Sequence, residues 1–317
     1  MELSVIVPFV REWPQVAFTL RSIHEELEGI EHEVLAIDNL QSNMEEDRGT
    51  GMVKGMANQW TKAGDPWLKY YHKNDKLSHW QCKNFGIQKA TAPIIWFVDS
   101  HCIVGRDAAR TMYHFYKRNW EVLDGSIHLP LTYHILEQRQ LIYKAVVDVT
   151  KGDYAYSFNT YIPSSWEQVQ EVPVMSTCGM MIHKQYLEQL GGWPKELGIY
   201  SGGEHFLNYC QAILGLKKYI WKANPLTHHG DRRGYSWNHY DQRRNRAIAC
   251  YMVGGEKLMN KWVDECAKLS PNESKRVKNN IMATCKKHRD HIRSQQMMEI
   301  EEWLDKWKGH SLLQGVY

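Results

Sequence analysis

Short apolar runs rich in β-branched residues alternate with helical segments toward the amino terminus, and this alternation leaves few folds open. Residues 3–9, 34–37, 67–71 and 94–98 each read as a buried strand bounded by polar residues or proline. After the first of them Pro14 stands at a helix start. Trp13, Val16, Ala17, Leu20, Ile23 and Leu27 then recur at helical spacing, so one face of that helix packs on a sheet. Residues 80–90 make a second helix, and the polar stretch 39–66 reads as a loop. The order β-α-β-loop-β-α-β predicts an α/β fold with a mostly parallel sheet, right-handed crossovers and helices on both faces.

Beyond Asp107 the pattern changes. Helices are expected at 107–120, 185–190 and 204–214, and strands at 126–129 and 174–182. The stretch up to Val149 is ambiguous, and 154–173 is irregular and rich in Tyr, Ser and Pro. From Asn238 onward the chain is mostly helical, with Pro271 as the clearest break.

The fourth strand empties into Asp99-Ser100-His101-Cys102. Side chains two apart on an extended segment point the same way, so Asp99 and His101 can reach one cation at the carboxyl end of a strand, where open α/β sheets bind ligands. A carboxylate with an imidazole suits Mn²⁺ or Mg²⁺ carrying phosphate oxygens. In isolation, a strand-ending Asp that caps a turn and a solvated His explain the same residues.

Three further groups converge on this rim. Asp38 ends the second strand, where a carboxylate accepts from a ribose or base edge, or simply starts a turn. Tyr200-Ser201-Gly202-Gly203-Glu204-His205 precedes a helix; its glycines let backbone approach a ligand, and Glu204 serves as a helix cap or a general base. In residues 227–237, His228 or His229 offers a third metal ligand, Arg232 or Arg233 offsets the charge of a departing diphosphate, and Gly230 and Gly234 permit a closing lid.

With 43% hydrophobic and 24% charged residues, the 317-residue chain has the composition of an ordinary globular protein. No apolar stretch is long enough to span a bilayer and no leader is recognisable, so a soluble, cytoplasmic protein without membrane association is expected. Seven scattered cysteines, none spaced C-x-x-C, predict free thiols in a reducing compartment. Net charge is only +3, yet residues 217–246 hold eight Lys/Arg against two Asp, which suits a polyanion, a nucleotide diphosphate or a solvated face.

Ser4-Val5-Ile6-Val7-Pro8-Phe9, Ala36-Ile37-Asp38-Asn39, Lys83-Asn84-Phe85-Gly86 and Phe97-Val98-Asp99-Ser100-His101-Cys102 resemble the nucleotide-sugar-binding half of family 2 glycosyltransferases with the Rossmann-like GT-A fold. The Asp-Ser-His-Cys form, the later Gly-Gly-Glu and the His229/Arg232 pair are most similar to the polypeptide N-acetylgalactosaminyltransferases, over roughly residues 3–250. Arg11-Glu12-Trp13-Pro14 and Gly191-Gly192-Trp193-Pro194 also resemble glycosyltransferases of tailed bacteriophages. The resemblance implies a GT-A domain over 1–237, with a nucleotide-sugar half (1–106) and an acceptor half (107–237), followed by a helical extension over 238–317.

By this resemblance Asp38 contacts uridine, and Pro8, Phe9, Arg11, Lys83, Asn84 and Ser100 support a UDP-sugar. Asp99, His101 and His229 hold Mn²⁺ (or Mg²⁺) against the diphosphate. Glu204, Asp99 and Arg232 carry catalysis, and Trp193, Gly203, His205 and Trp237 meet the acceptor. Ser201 stands where those transferases have a tryptophan, and the helical segment from Asn238 stands where they carry a lectin domain.

The expected chemistry is metal-assisted departure of a nucleoside diphosphate toward an acceptor hydroxyl. If configuration inverts, Glu204 is the base; if it is retained, as the resemblance suggests, the departing phosphate takes the proton and Glu204 positions substrate. The basic segment and the many aromatics favour hydroxymethylated pyrimidine in phage DNA as acceptor, in a host cytoplasm. Protein Ser/Thr or a glycan is the alternative acceptor. A non-enzymatic nucleic-acid-binding module is the alternative of another class, though no nucleic-acid-binding signature is present. A nucleotidyltransferase would need the glycine-rich phosphate loop that residues 8–12 lack.

Overall fold

A computed structural model describes residues 1–45, 48–132, 142–145, 158–161, 167–229 and 234–307. The amino-terminal part runs β1 (Leu3–Phe9), α1 (Gln15–Glu26), β2 (His32–Asp38), α2 (Arg48–Lys62), β3 (Leu68–His72), α3 (His79–Lys89), β4 (Ile94–Phe97), β5 (Cys102–Ile103) and α4 (Ala108–Leu123). There follow β6 (Gly125–His128), β7 (Leu131–Thr132), β8 (Ile142–Ala145), β9 (Phe158–Tyr161), β10 (Val169–Glu171), β11 (Met180–His183), α5 (Lys184–Gln189), α6 (Gly203–Ile213), β12 (Lys217–Trp221) and β13 (Leu226–His228). The chain then turns helical, with α7 (His239–Lys261), a short π-helical turn (Trp262–Cys266), α8 (Pro271–Arg293) and α9 (Ile300–Trp307). No helix among the described residues is long and apolar enough to cross a membrane.

An eight-stranded sheet in the order β10-β12-β6-β11-β4-β1-β2-β3 forms the backbone of the fold. The pairs β1–β2, β1–β4, β2–β3 and β6–β12 are parallel, and β11 and β10 are inserted antiparallel. Every residue of β1 and β2 is buried, as expected of strands covered on both faces. The two-residue alternation of strands sorts their side chains into two cores. Val5, Val7, Phe9, Ala36 and Trp96 pack with residues of α1, α2 and α4. Ile6, Leu35, Ile37, Ile95 and Phe97 face the other way, into a core shared with α3, α6 and the helices α7 to α9. The carboxyl-terminal helices thus close one face of the sheet.

The predicted β-α-β-loop-β-α-β order holds except in the loop, where residues 39–66 contain α2. That helix buries Gly49, Val53 and Ala57, spaced four apart. Its glycines lower helix propensity and hide the signal, but packing against the sheet outweighs propensity. The strand expected at 174–182 shortens to β11, because Ser176 and Thr177 turn toward the cleft described below and Gly179 adopts φ +88°. Pro14 caps α1 instead of entering it. Strands β12 and β13 lie in the basic segment, where charge masks them. At the start of α8, Ser270 and Glu273 form a reciprocal capping box with Pro271 in the first turn, as the Pro271 break predicts.

Burial has a cost that pH can read. His128 in β6 is buried, its Nδ1 2.8 Å from the Leu129 carbonyl, and burial pushes its ring from the ordinary 6.5 down to about 4. The unfolded chain takes up this proton near pH 6.5 and the folded chain near 4, so the stabilisation present above pH 6.5 is lost as pH falls through that window. The urea midpoint is expected to fall progressively over this window, and a His128→Asn variant to show a shallower fall.

Candidate active site

Because β1, β2 and β4 run parallel, their carboxyl ends share one rim, and a cleft of about 390 Å³ opens there. Asp99 follows β4, His101 sits in the turn between β4 and β5, and His228 ends β13, which pairs with β5. One ligand atom from each lies within 4.8 Å of the others. The His101 and His228 Nε2 atoms are 3.1 Å apart, and His228 Nε2 is 3.5 Å from Asp99 Oδ2. A carboxylate with two imidazoles at this spacing fits Mn²⁺ or Mg²⁺.

Glu12, from the turn after β1, orients the group. Its Oε1 lies 3.0 Å from His101 Nδ1, which fixes a proton there and leaves Nε2 its lone pair. Its Oε2 accepts from Ser100 Oγ and from the Val10 amide. Lys83 of α3 is 1% exposed; its Nζ donates to Thr177 Oγ1 at 2.7 Å and lies 3.7 Å from Asp99 Oδ1. Burial alone would raise the Asp99 carboxyl, but Lys83, His228 and His101 outweigh it and hold the group well below the ordinary carboxylate value. Glu204, in the first turn of α6, behaves oppositely. Burial lifts it above the ordinary value; Lys83 pulls the other way, Asp99 adds to the lift, and hydrogen bonds from Thr177 and Ser176 offset it in part. Its Oε1 accepts from Ser176 Oγ at 3.1 Å and from the Thr177 amide at 3.3 Å.

The remaining expectations divide. Pro8, Phe9, Lys83, Ser100 and Glu204 line the cleft with Asp99 and His101. His229 does not join the ligand group: successive residues at a strand end point to opposite sides, and His229 instead donates its amide to the His101 carbonyl at 2.8 Å. Asp38 is buried beneath the cleft, accepting from Tyr70 Oη and the Leu40 amide, and its neighbour Asn39 reaches the cleft wall. Arg11, at φ +55°, is exposed and outside the lining.

Asn84 turns away from its neighbour Lys83 and clasps the Trp193 backbone, with bonds of 2.8 Å to both its amide and its carbonyl. Trp193 is 2% exposed; it stacks on Trp80 and donates Nε1 to the Gly203 carbonyl at 2.9 Å, so it belongs to the core. Gly203 permits close approach of the Trp80 indole, not of a ligand, and a Cβ there would collide with the ring. His205 is buried in α6 off the cleft, and burial holds its ring well below the ordinary value. Trp237 stands outside the lining but is stacked at 4.4 Å on Tyr200, which does line the cleft. Arg232 and Arg233 lie outside the described residues.

Glu12, His228, Ser176, Thr177 and Arg246 complete the site. The last has a readable signal: Gln242 and Arg246 are four apart on α7 and both line the cleft. Among the described residues, the cations of the basic segment are spread over different environments. Lys218 is buried, with Nζ on the Asn208 carbonyl and its ammonium pushed down to about 7 by burial, while Arg243 donates to the Lys268 carbonyl and Arg244 pairs with Asp241.

The sequence matches glycosyl transferase family 2 over residues 4–191. The chain belongs to this family. No curated protein matches it in sequence. Among solved structures it is similar to GalNAc-T7 with UDP, GalNAc and Mn²⁺, with a TM-score of 0.67 and 15% identity over 98% of this chain and 58% of that one. S. aureus TarS 1–349 in complex with UDP-GlcNAc aligns with a TM-score of 0.53 and 11% identity, covering 96% of this chain and 92% of that one. At such identities the likeness is one of fold, and the chain spans 58% of the GalNAc-T7 chain.

The core placement of Trp193 has a measurable consequence. Trp193→Ala is expected to destabilise by about 3–5 kcal/mol and Gly203→Ala, which overpacks Trp80, by about 1–3 kcal/mol. Chemical denaturation checks both; unchanged midpoints would return these residues to the surface.

Proposed function

We propose that this chain is a metal-dependent glycosyltransferase that moves a sugar from a UDP-sugar to an acceptor hydroxyl. The observation that carries this is the meeting of Asp99, His101 and His228 on a cleft that also holds Glu204, Lys83 and Arg246. Asp99, His101 and His228 would hold Mn²⁺ or Mg²⁺, which when bound supplies Lewis-acid stabilisation of diphosphate charge. GalNAc-T7 with UDP and Mn²⁺ and TarS with UDP-GlcNAc share the fold, which supports this choice of donor and metal.

The chain's own residues then take separate parts. Pro8, Phe9 and Asn39 wall the nucleoside end of the cleft. Lys83 and Arg246 add positive charge where the leaving group becomes more negative. Glu204, raised by burial, is anchored through Oε1, and its Oε2 takes no partner among the described residues, which suits it to accept a proton from, or orient, the acceptor hydroxyl. The Tyr200–Trp237 stack at the rim offers a flat face to a planar base or a pyranose ring. Because the described cations of 217–246 do not gather, the carrier of the hydroxyl is best read by offering hydroxymethylcytosine DNA, Ser/Thr peptides and glycans in parallel.

A panel of nucleotide sugars, scored for UDP release and acceptor mass gain, tests the reading. Turnover is expected to need Mn²⁺ or Mg²⁺ and to vanish in Asp99→Asn and in His101→Ala while circular dichroism shows the fold retained, with a lowered urea midpoint in Asp99→Asn, which leaves buried Lys83 without its carboxylate; near-normal turnover in either rejects the proposal. Glu12→Gln should weaken Mn²⁺ binding by about 10–100-fold in calorimetric titration. Activity should rise with pH through the elevated Glu204 value, because only the ionised carboxylate accepts a proton, and this acid limb should disappear in Glu204→Gln.

A further inference from the structure

Behind the Asp99–His101–His228 group lies a second constellation that glycosyl transfer does not use. Cys102 on β5 is the direct ladder partner of His228 on β13. Cys178, in the loop leading to β11, places its Sγ 3.5 Å from Cys102 Sγ, and both thiols are buried. One ligand atom each from Cys102, Cys178 and His228 falls within 4.8 Å of the others. The two cysteines belong to the apolar core that also contains Val98, Leu129 and Leu226, so the surroundings of the thiols are dry and closely packed.

Two uses of such a pair make different demands on the packing around it. A disulfide needs about 2.05 Å, which would draw the sulfurs about 1.5 Å together inside a packed core. Two thiolates on one tetrahedral zinc at about 2.3 Å stand about 3.8 Å apart, close to the spacing already present. Two sulfurs and an imidazole are, moreover, a soft donor set, selecting Zn²⁺ or Cd²⁺ over Mn²⁺ or Mg²⁺.

We infer that Cys102, Cys178 and His228 form a binding site for a thiophilic divalent cation, zinc in kind, distinct from the hard-cation site but sharing His228 with it. Entry of the cation displaces one proton from each thiol to solvent, with no redox change. A cation that takes His228 withdraws it from Asp99 and His101, so Zn²⁺ antagonises the Mn²⁺-dependent reaction. This last consequence rests on the function proposed above; the binding site itself does not.

Cadmium reads the site directly. Titration of the full chain with CdCl₂ in the presence of excess Mg²⁺ is expected to raise sulfur-to-metal charge-transfer absorption in the ultraviolet, levelling at one equivalent. That band should be lost in Cys102→Ser and in Cys178→Ser but kept in Cys82→Ser and Cys285→Ser. Absence of the band at one equivalent, or its persistence in both of the first two variants, overturns the inference. Should those variants fail to fold, ¹¹³Cd magnetic resonance of the unaltered chain decides: a shift in the thiolate range supports the site and one in the oxygen and nitrogen range refutes it. These readouts do not depend on sugar transfer, so a chain inactive with every donor but positive for cadmium–thiolate absorption would refute only the proposed function. In an active chain, Zn²⁺ should inhibit Mn²⁺-dependent turnover, and less so in Cys178→Ser.

Discussion

Parallel pairing of β1 with β2 on one side and β4 on the other is the constraint on which the rest of the molecule depends. Parallel strands must finish at the same edge, so the residues following β1 and β4 meet without any contact being designed between them. Glu12 and the segment from Asp99 to His101 are neighbours for that reason alone. The alternation of side chains along the same strands sends one set toward α1, α2 and α4 and the other toward the helices that close the opposite face.

Upon this rim the fold lays a smaller three-stranded sheet, β5-β13-β7, which brings His228, more than a hundred positions away in sequence, up to Asp99 and His101. The charge arrangement that results is asymmetric. Asp99 is kept ionised by Lys83 and the two imidazoles beside it, whereas Glu204 is held by a hydroxyl and an amide and feels mainly its burial. Two carboxylates in one cleft are therefore displaced in opposite directions from the ordinary value, the pattern by which environment separates an acid from a base.

Much of the sheet was legible in the sequence because buried parallel strands are written as nearly continuous apolar runs. The Asp99/His101 pair was legible too, since its spacing and its position after a strand are local properties. What escaped depended on partners far along the chain. Telling His228, which meets Asp99 and His101, from His229, which does not join that group, requires knowing the side-chain parity of β13, which charge on the surrounding segment conceals. Trp193 and Gly203 carry the residue types of a ligand-contacting surface, yet a tryptophan ring serves as well as a ligand to demand a glycine opposite it. Asn84 follows Lys83 by one residue on a helix, and that single step rotates it from the cleft to the Trp193 loop. Helix α2 was hidden by glycines whose low propensity the sheet contacts override.

The position of Arg246 within α7 bears on how such a protein can change over time. The same helix that borders the cleft continues into the carboxyl-terminal bundle, with Arg289 of α8 packed against its kink at Gly255. The bundle is therefore no interchangeable accessory. Swapping it wholesale for another module would strip an arginine from the cleft, so inheritance should trim or lengthen this region beyond α7 and leave the junction itself untouched.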